Sequence, residues 1–197
     1  ERARTAGVEI WVNATVTGWA GERVVEVTAP QGRFTISADA IVLATGARER
    51  PRAARRIPGD RPAGVYTTGQ LQQSVHLQHR QVGDRAVVVG SELVSWSAVL
   101  TLRAAGCKPV LMTTEYPKPD TYQVLAVIGR LLFRPNVRTH TRVVRIIGNT
   151  RVTAVEIEDV RTRQRSIVDC DTVVFTGDWI PDHELARLRE LEMDVAT

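Results

Sequence analysis

The sequence predicts an α/β fold, in which a parallel sheet packs against helices. A short β-branched run, Val87 to Val89, is typical of a strand buried on both faces. After Gly90 a helical pattern follows, with apolar or small residues at Leu93, Val94, Ser97, Ala98, Thr101 and Leu102, and it ends at Gly106. A second apolar strand, Pro109 to Thr114, comes next. Strand, helix and strand in this order predict two parallel neighbours joined by a crossover.

The same stretch has the outline of a dinucleotide-binding unit, because the acidic Glu115 ends the second strand. In the G-x-G-x-x-G pattern, glycine would recur where this sequence has Glu92 and Ser95. Ser95 is small enough to let the helix pack near the strand. Glu92 adds bulk and negative charge where a pyrophosphate would lie. Two interpretations therefore stay open: nicotinamide nucleotide binding, and a layer kept for packing whose ligand site is lost or retuned.

Composition indicates one or two globular domains. The 197 residues are 43% hydrophobic and 24% charged, which is ordinary for such proteins. No run approaches the roughly 18 apolar residues of a membrane span, and no signal-peptide pattern opens the sequence. We predict no membrane partner. We also predict no nucleic-acid partner, because no aromatic residue lies among the arginines.

Arginine accounts for the formal net charge of +4. The densest run contains Arg48, Arg50, Arg52, Arg55 and Arg56. This run is typical either of a solvated linker or of a site for an acidic partner or a nucleotide phosphate.

The cysteines and histidines predict no metal site. Cys107 and Cys170 form no C-x-x-C, and each adjoins a predicted strand, so we expect buried free thiols and a cytoplasmic location. The four histidines show no metal-ligand spacing; they are His76, His79, His140 and His183.

Before the central unit, turn sequences separate short strands, which predicts an antiparallel meander. Its strands are Thr15–Trp19, Arg23–Thr28 and Arg33–Ser37. Residues 1–7 predict the end of a helix, Val8–Val12 a strand, and Ala40–Ala44 a buried parallel strand. Residues 47–62 are rich in proline and arginine and predict an extended connection between domains.

The remaining elements are predicted from shorter patterns. Val65–Gln70 predicts a turn, and Leu71–Arg80, Thr121–Phe133 and His183–Leu191 predict helices. Alternation predicts strands at Val137–Thr139, Arg142–Ile147, Val152–Asp159 and Arg165–Val168, and an apolar run predicts a strand at Val173–Thr176.

Several stretches together resemble the pyridine nucleotide–disulfide oxidoreductase superfamily, whose members are flavoproteins with two dinucleotide-binding domains. Residues 41–48 (IVLATGAR) resemble the ATG motif at which the chain leaves the flavin domain. The segments GARERPR, GVYTTGQLQ, GSELVSWSAVLTLRAAG and TGDWIPDHELA resemble the branch of hydrogen cyanide synthase, opine oxidase and dye-linked proline dehydrogenase subunits. The resemblance covers nearly the whole chain.

The resemblance implies that the chain is the middle of a larger flavoprotein. Residues 1–62 would be part of an FAD domain with its linker, 63–181 a Rossmann-like three-layer NAD(P)-binding domain, and 182–197 a return segment. The FAD part would supply a β-meander and one parallel strand. FAD is expected in the complete protein, with NAD(P) as a second cofactor.

The resemblance implies FAD-dependent oxidation of an amine or amino-acid-like substrate, or passage of electrons from NAD(P)H to flavin. The flavin would carry out the hydride chemistry. The alternative is a non-catalytic nucleotide-binding or docking module of a hetero-oligomeric dehydrogenase. A homo- or hetero-oligomer is expected in either case.

The expected cofactor contacts follow the family pattern. The turn of Ala44, Thr45 and Gly46 would lie against FAD, with backbone contacts from Val16. The residues that would face a phosphate at the helix N-terminus are Gly90, Ser91, Glu92, Leu93, Val94 and Ser95. Glu115 would meet a ribose hydroxyl, and Thr176 and Gly177 would line the crevice.

The sequence identifies no catalytic residue. Residues 65–70 have no cysteine where relatives of the thioredoxin reductase type carry C-x-x-C, which excludes dithiol chemistry through this domain. Ser97 stands where several relatives place a glutamate near the nicotinamide.

Overall fold

The computed structural model describes residues 2–119 and 136–193 and divides into two compact units. Unit 1 comprises Glu1–Ala47 with Pro181–Thr197, and unit 2 comprises Arg48–Ile180. The helix predicted at Thr121–Phe133 lies outside the described residues.

Unit 1 contains the predicted antiparallel meander. Its elements are α1 (Arg2–Thr5), β1 (Thr15–Gly21), β2 (Val24–Ala29), β3 (Gly32–Ser37) and α4 (Glu184–Leu188), with strand order β1-β2-β3. The central strand β2 buries Val25 and Val27. The indole of Trp19 donates a hydrogen bond of 2.9 Å to the carbonyl of Leu185. A helix from late in the sequence therefore packs against the first strand.

Two strands predicted for unit 1 are wrong. Val8–Val12 and Ala40–Ala44 have no strand assignment, and Val42 is 88% exposed. A strand needs a neighbour to complete its backbone hydrogen bonds, and apolar composition alone does not provide one.

Unit 2 is built on a five-stranded parallel sheet of order β5-β12-β6-β7-β8. Its strands are β5 (Val65–Thr67), β6 (Arg85–Val89), β7 (Lys108–Thr113), β8 (Val137–Arg138) and β12 (Thr172–Phe175). The predicted strand–helix–strand unit is confirmed as β6, α3 and β7. The turn predicted at Val65–Gln70 is wrong, because β5 pairs in parallel with β12 and α2 begins directly after it.

The helices that the structure describes in unit 2 cover one face of this sheet. They are α2 (Thr68–Gln72), which continues into a π-helical turn at Gln73–Leu77, and α3 (Leu93–Ala104). A capping box of Thr67 and Gln70 starts α2. The predicted apolar face of α3 is only partly right, because Leu93 is 54% exposed and the buried stripe includes Ser95 and Val99.

An antiparallel sheet of order β11-β10-β9 covers the other face. Its strands are β9 (Thr141–Gly148), β10 (Val152–Asp159) and β11 (Arg165–Asp169), as predicted. A two-stranded ribbon pairs β4 (Ala47–Glu49) with β13 (Trp179–Pro181).

Alternation along the parallel strands divides the core of unit 2 into two clusters. Val88 and Val174 pack with the helices, whereas Val87, Val173 and Phe175 pack with the antiparallel sheet. The three layers confirm the predicted α/β fold.

The extended connection predicted at residues 47–62 is wrong, because residues 48–62 belong to unit 2 and pack within it. The guanidinium of Arg52 donates hydrogen bonds to the carbonyls of Ile57 (3.2 Å) and Pro58 (3.0 Å). Gly59, with φ of 105°, forms a β-bridge with Ile146, and a Cβ at Gly59 would overlap the Ile146 carbonyl. Glycine is required here because the two backbones approach closely.

Within residues 2–119 and 136–193, no helix is both long and apolar enough to cross a membrane.

Candidate functional site

A crevice lies where the parallel strands of unit 2 end, which is the usual ligand position in an open parallel sheet. It consists of two cavities of about 270 Å³ and 600 Å³. Both are lined by Arg55, Val89, Glu115, Arg142 and Asp178. The smaller cavity also reaches the glycine turn after β6.

Two glycines form the floor of this turn, Gly90 after β6 and Gly177 after β12. Their φ angles of 136° and 63° lie in the region that favours glycine. A Cβ on either residue would overlap the carboxylate of Glu92. This pair, here called the glycine cradle, therefore encloses the Glu92 side chain.

The Glu92 carboxylate is held at the N-terminus of α3 by hydrogen bonds. Its Oε2 accepts from the backbone N–H of Ser91 (3.1 Å) and from the hydroxyl of Ser95 (2.8 Å). The Ser95 hydroxyl also lies 2.6 Å from that of Thr176. Negative charge is favoured at this end of a helix. The two departures from the glycine pattern thus form one arrangement, in which Ser95 binds Glu92.

This arrangement leaves no room for a pyrophosphate against the turn. In the G-x-G-x-x-G pattern the second glycine allows the phosphates to approach the backbone. Here the carboxylate of Glu92 fills the cradle between Gly90 and Gly177. A dinucleotide in the ordinary pose fits only when Glu92 moves away.

The opposite wall brings Glu115 close to the start of β9. Thr114 donates its N–H to the Arg138 carbonyl (3.0 Å) and accepts from the N–H of Thr141 (2.8 Å). Glu115 is exposed and lines both cavities, as does Arg142. A carboxylate in this place can accept hydrogen bonds from hydroxyl groups of a ligand.

The structure brings together most of the predicted residues of unit 2. Gly90, Glu92, Glu115 and Thr176 line the smaller cavity, and Ser91, Ser95 and Gly177 surround the Glu92 carboxylate. Leu93 and Val94 line neither cavity.

The predicted residues of unit 1 form a separate group. Val16 lies on β1, opposite Val27 of β2, and is 38% exposed. The hydroxyl of Thr45 donates to the carbonyl of Asp182, whose N–H donates to the carbonyl of Gly46 (3.0 Å). Ala44 is exposed next to this turn.

Arg55 is a crevice residue that the sequence did not single out from its arginine-rich run. Its side chain is 14% exposed and donates hydrogen bonds to the carbonyls of Thr176 (3.0 Å) and Gly177 (2.8 Å). Its guanidinium also lies over the ring of Phe175, 5.3 Å from the centroid. Burial lowers the pKa of Arg55, and the nearby Asp178 carboxylate opposes this shift. Arg55 thus places a desolvated positive charge at the end of β12.

Arg142 is a second crevice residue that the sequence did not single out, and Glu158 holds its side chain in place. Glu158 is 3% exposed, and its carboxylate accepts hydrogen bonds from Arg142 (2.8 Å), Arg163 (2.9 Å) and Arg165 (3.0 Å). The hydrogen bond from Arg142 is the main cause that lowers the pKa of Glu158. Glu158 lies opposite Arg142 and Arg165 on the neighbouring strands. A single sequence shows the alternation of charges along each strand but not which strands pair, so it does not predict this cluster.

The described residues contain neither a cluster suited to a metal ion nor an exposed thiol. In residues 2–119 and 136–193, no cluster of three or more histidine, cysteine or acidic side chains is placed to hold a metal ion. Cys107 and Cys170 are buried free thiols, as predicted. Burial raises the pKa of each to about 12, so both stay protonated and unreactive at neutral pH.

Comparison with known proteins agrees with this architecture. The family profile described as pyridine nucleotide-disulphide oxidoreductase matches residues 2–196. No curated protein matches the chain.

Solved structures share the fold at low sequence identity. T. acidophilum thioredoxin reductase is 16% identical with a TM-score of 0.70, over 92% of this chain and 58% of that one. The NAD-dependent persulfide reductase from A. fulgidus is 20% identical with a TM-score of 0.72, and the match covers 98% of this chain and 36% of that one. Histamine dehydrogenase from Rhizobium sp. 4-9 is 21% identical with a TM-score of 0.57, and the match covers 73% of this chain and 23% of that one. The chain therefore spans 58% or less of each of these proteins.

The family match covers residues 2–196, and the parallel sheet with a crevice at its strand ends agrees with it. The chain belongs to the pyridine nucleotide-disulphide oxidoreductase family, whose members are FAD- and NAD(P)-dependent oxidoreductases.

Proposed function

We propose that the chain is part of an FAD-dependent oxidoreductase that oxidises an amine or amino-acid-like substrate or passes electrons from NAD(P)H to flavin. Residues 1–62 would be part of the FAD domain with its linker, 63–181 the NAD(P)-binding-like domain, and 182–197 a return segment toward the FAD domain. The resemblance to the branch of opine oxidase and dye-linked proline dehydrogenase subunits supports an amine substrate, and histamine dehydrogenase shares the fold. Bound flavin supplies the hydride chemistry, and the protein orients it.

Val16 and the turn of Ala44, Thr45 and Gly46 would contact FAD in this proposal. The turn is exposed and is tied to Asp182 by hydrogen bonds. The proposal includes a homo- or hetero-oligomer, which light scattering tests, and a cytoplasmic location, which the two free cysteines support.

The crevice of unit 2 is proposed as a nucleotide site in which Glu92 weakens dinucleotide binding. The observation that carries this proposal is the position of the Glu92 carboxylate inside the glycine cradle. Gly90, Ser91, Ser95, Thr176 and Gly177 would surround the phosphates once Glu92 has moved. Glu115 would accept hydrogen bonds from a ribose.

The size of the effect follows from the charges. Two unit charges about 5 Å apart cost about 3 kcal/mol at an effective dielectric near 20, which is roughly a hundredfold in affinity. Solvent screening reduces this cost. We therefore expect Glu92→Gly to tighten NADH binding by about tenfold or more.

Calorimetric titration of the native chain and of Glu92→Gly with NADH tests this expectation. Glu92→Gln is the matched control, because it keeps most of the bulk and removes the charge. An affinity between those of the native chain and Glu92→Gly is expected for it. Low-micromolar NADH binding by the native chain, unchanged in Glu92→Gly, would overturn the proposal.

The second candidate function is a non-catalytic nucleotide-binding or docking module of a hetero-oligomeric dehydrogenase. The Glu92 carboxylate in the glycine cradle favours this function, because it competes with the phosphates of NADH and so lowers the affinity of a catalytic NADH site. Parallel titrations with NADH, NADPH and ATP separate the two. Binding of ATP alone supports the module, whereas binding of a nicotinamide dinucleotide supports the enzyme.

A further inference from the structure

The larger cavity of the crevice is strongly cationic. The residues that line it include four arginines and two acidic residues, which are Arg50, Arg55, Arg56, Arg142, Glu115 and Asp178. Four positive charges against two negative ones leave a formal excess of two. Three of these arginines come from the run at residues 48–56. This excess attracts an anion that carries more than one charge.

The acidic residues of this wall do not use all the donors of the arginines. Arg50 and Arg55 share one oxygen of Asp178, at 3.2 Å and 3.5 Å. The side chains of Arg50 and Arg142 are 43% and 38% exposed although their Nε atoms are buried, so a ligand reaches their terminal nitrogens. Arg56 is exposed at the rim of the cavity. Guanidinium groups with spare donors are suited to phosphate oxygens, which accept two parallel hydrogen bonds.

The glycine cradle, the usual place for a phosphate, is filled by Glu92. A phosphate that enters the crevice meets a carboxylate at the cradle and arginine side chains in the larger cavity. Glu115 lines both cavities, so a ligand with a sugar at Glu115 reaches the arginines without approaching the turn.

We propose that the cavity lined by Arg50, Arg55, Arg56 and Arg142 is a second anion site, which binds phosphate groups in place of the filled glycine cradle. The phosphates come either from a nucleotide or from free polyphosphate. Only the nucleotide source rests on the proposed function.

Calorimetric titration of the full chain with inorganic tripolyphosphate, ATP and adenosine, at one salt concentration, tests the site. We expect tripolyphosphate and ATP to bind, with adenosine at least about tenfold weaker than ATP. Arg56→Ala and Arg50→Ala each weaken both phosphate compounds by about fivefold to tenfold and leave adenosine unchanged. Arg145→Ala is the control, because Arg145 is an exposed residue of β9 that lines neither cavity.

Two results overturn the inference. The first is that neither tripolyphosphate nor ATP binds. The second is that Arg145→Ala weakens the binding of both compounds as much as Arg56→Ala does, because the loss of affinity then reflects net charge alone. If ATP binds no more tightly than tripolyphosphate, the anion site stands and the nucleotide source is wrong. If Glu92→Gly tightens NADH while the arginine variants change nothing, the proposed function stands and this inference is wrong.

Discussion

At the scale of single residues, Glu92 and Ser95 act as one unit. The Ser95 hydroxyl is fully buried and donates to the Glu92 carboxylate at 2.8 Å. Removing this donor weakens the hold on the carboxylate by about 1 kcal/mol, the net value of one hydrogen bond. Ser95→Ala is therefore expected to tighten NADH binding about two- to fivefold.

The effect of Ser95→Ala depends on Glu92. In the Glu92→Gly background the same substitution should not tighten NADH binding, since no carboxylate remains to be released. Calorimetry on the two single variants and the double variant measures this coupling. Equal effects of Ser95→Ala in both backgrounds would contradict it.

Glu158 makes stability depend on pH. Its folded-state pKa is lowered, so the carboxylate contributes stability above its unfolded pKa of about 4.3. That contribution is lost as the pH falls through the folded-state value. Glu158→Gln should lower the Tm by several degrees at pH 7 and by much less at pH 3.

Thermal unfolding followed by circular dichroism at both pH values measures this difference. Glu156→Gln is the control, because Glu156 lies on the same strand, is 24% exposed and forms one longer ion pair among the described residues, with Arg165 at 3.7 Å. A Tm loss for Glu158→Gln that is equal at pH 3 and pH 7 would contradict the charge argument.

At the scale of elements, α2 and the π-helical turn after it differ sharply in burial. Leu71 in α2 is fully buried against the core between the helices and the parallel sheet, whereas Leu77 at the end of the turn is 75% exposed. Leu71→Ala is expected to cost about 2–5 kcal/mol, because it removes buried methyl groups and leaves a cavity.

Leu77→Ala is the matched control and should change stability by less than about 0.5 kcal/mol. Urea denaturation of both variants gives the comparison. Similar losses in the two variants would show that the turn at Gln73–Leu77 is packed in solution.

At the scale of the whole molecule, the two hydrophobic clusters of the described residues belong to unit 2. A fragment of residues 48–180 contains all of them and should unfold in one cooperative transition. A shorter fragment, 63–180, lacks Ile57, which packs on the second cluster, and the bridge of Gly59 to Ile146. It should melt at least about 4 °C lower.

Thermal melts of the two fragments measure this contribution. Equal Tm values would show that residues 48–62 behave as the linker that their composition indicates.

The sequence by itself determined the elements whose signal is local. The β-branched run, Gly90 and the helical period predicted β6 and α3, and turn residues predicted the meander of unit 1. The glycine pattern spans only a few residues, so the sequence alone predicts that Glu92 obstructs a pyrophosphate. Such patterns act within windows of roughly ten to twenty residues, so one sequence contains them completely.

Tertiary structure decided the features that need a distant partner. Residues 65–67 form a strand only because β12 lies beside them, and Ala40–Ala44 is not a strand because it has no partner among the described residues. Arg55 is held at the crevice by hydrogen bonds to the carbonyls of Thr176 and Gly177. Arg142 is held there by its hydrogen bond to the carboxylate of Glu158. Backbone pairing and the burial of charge are satisfied between segments far apart in the chain, so local composition does not predict them.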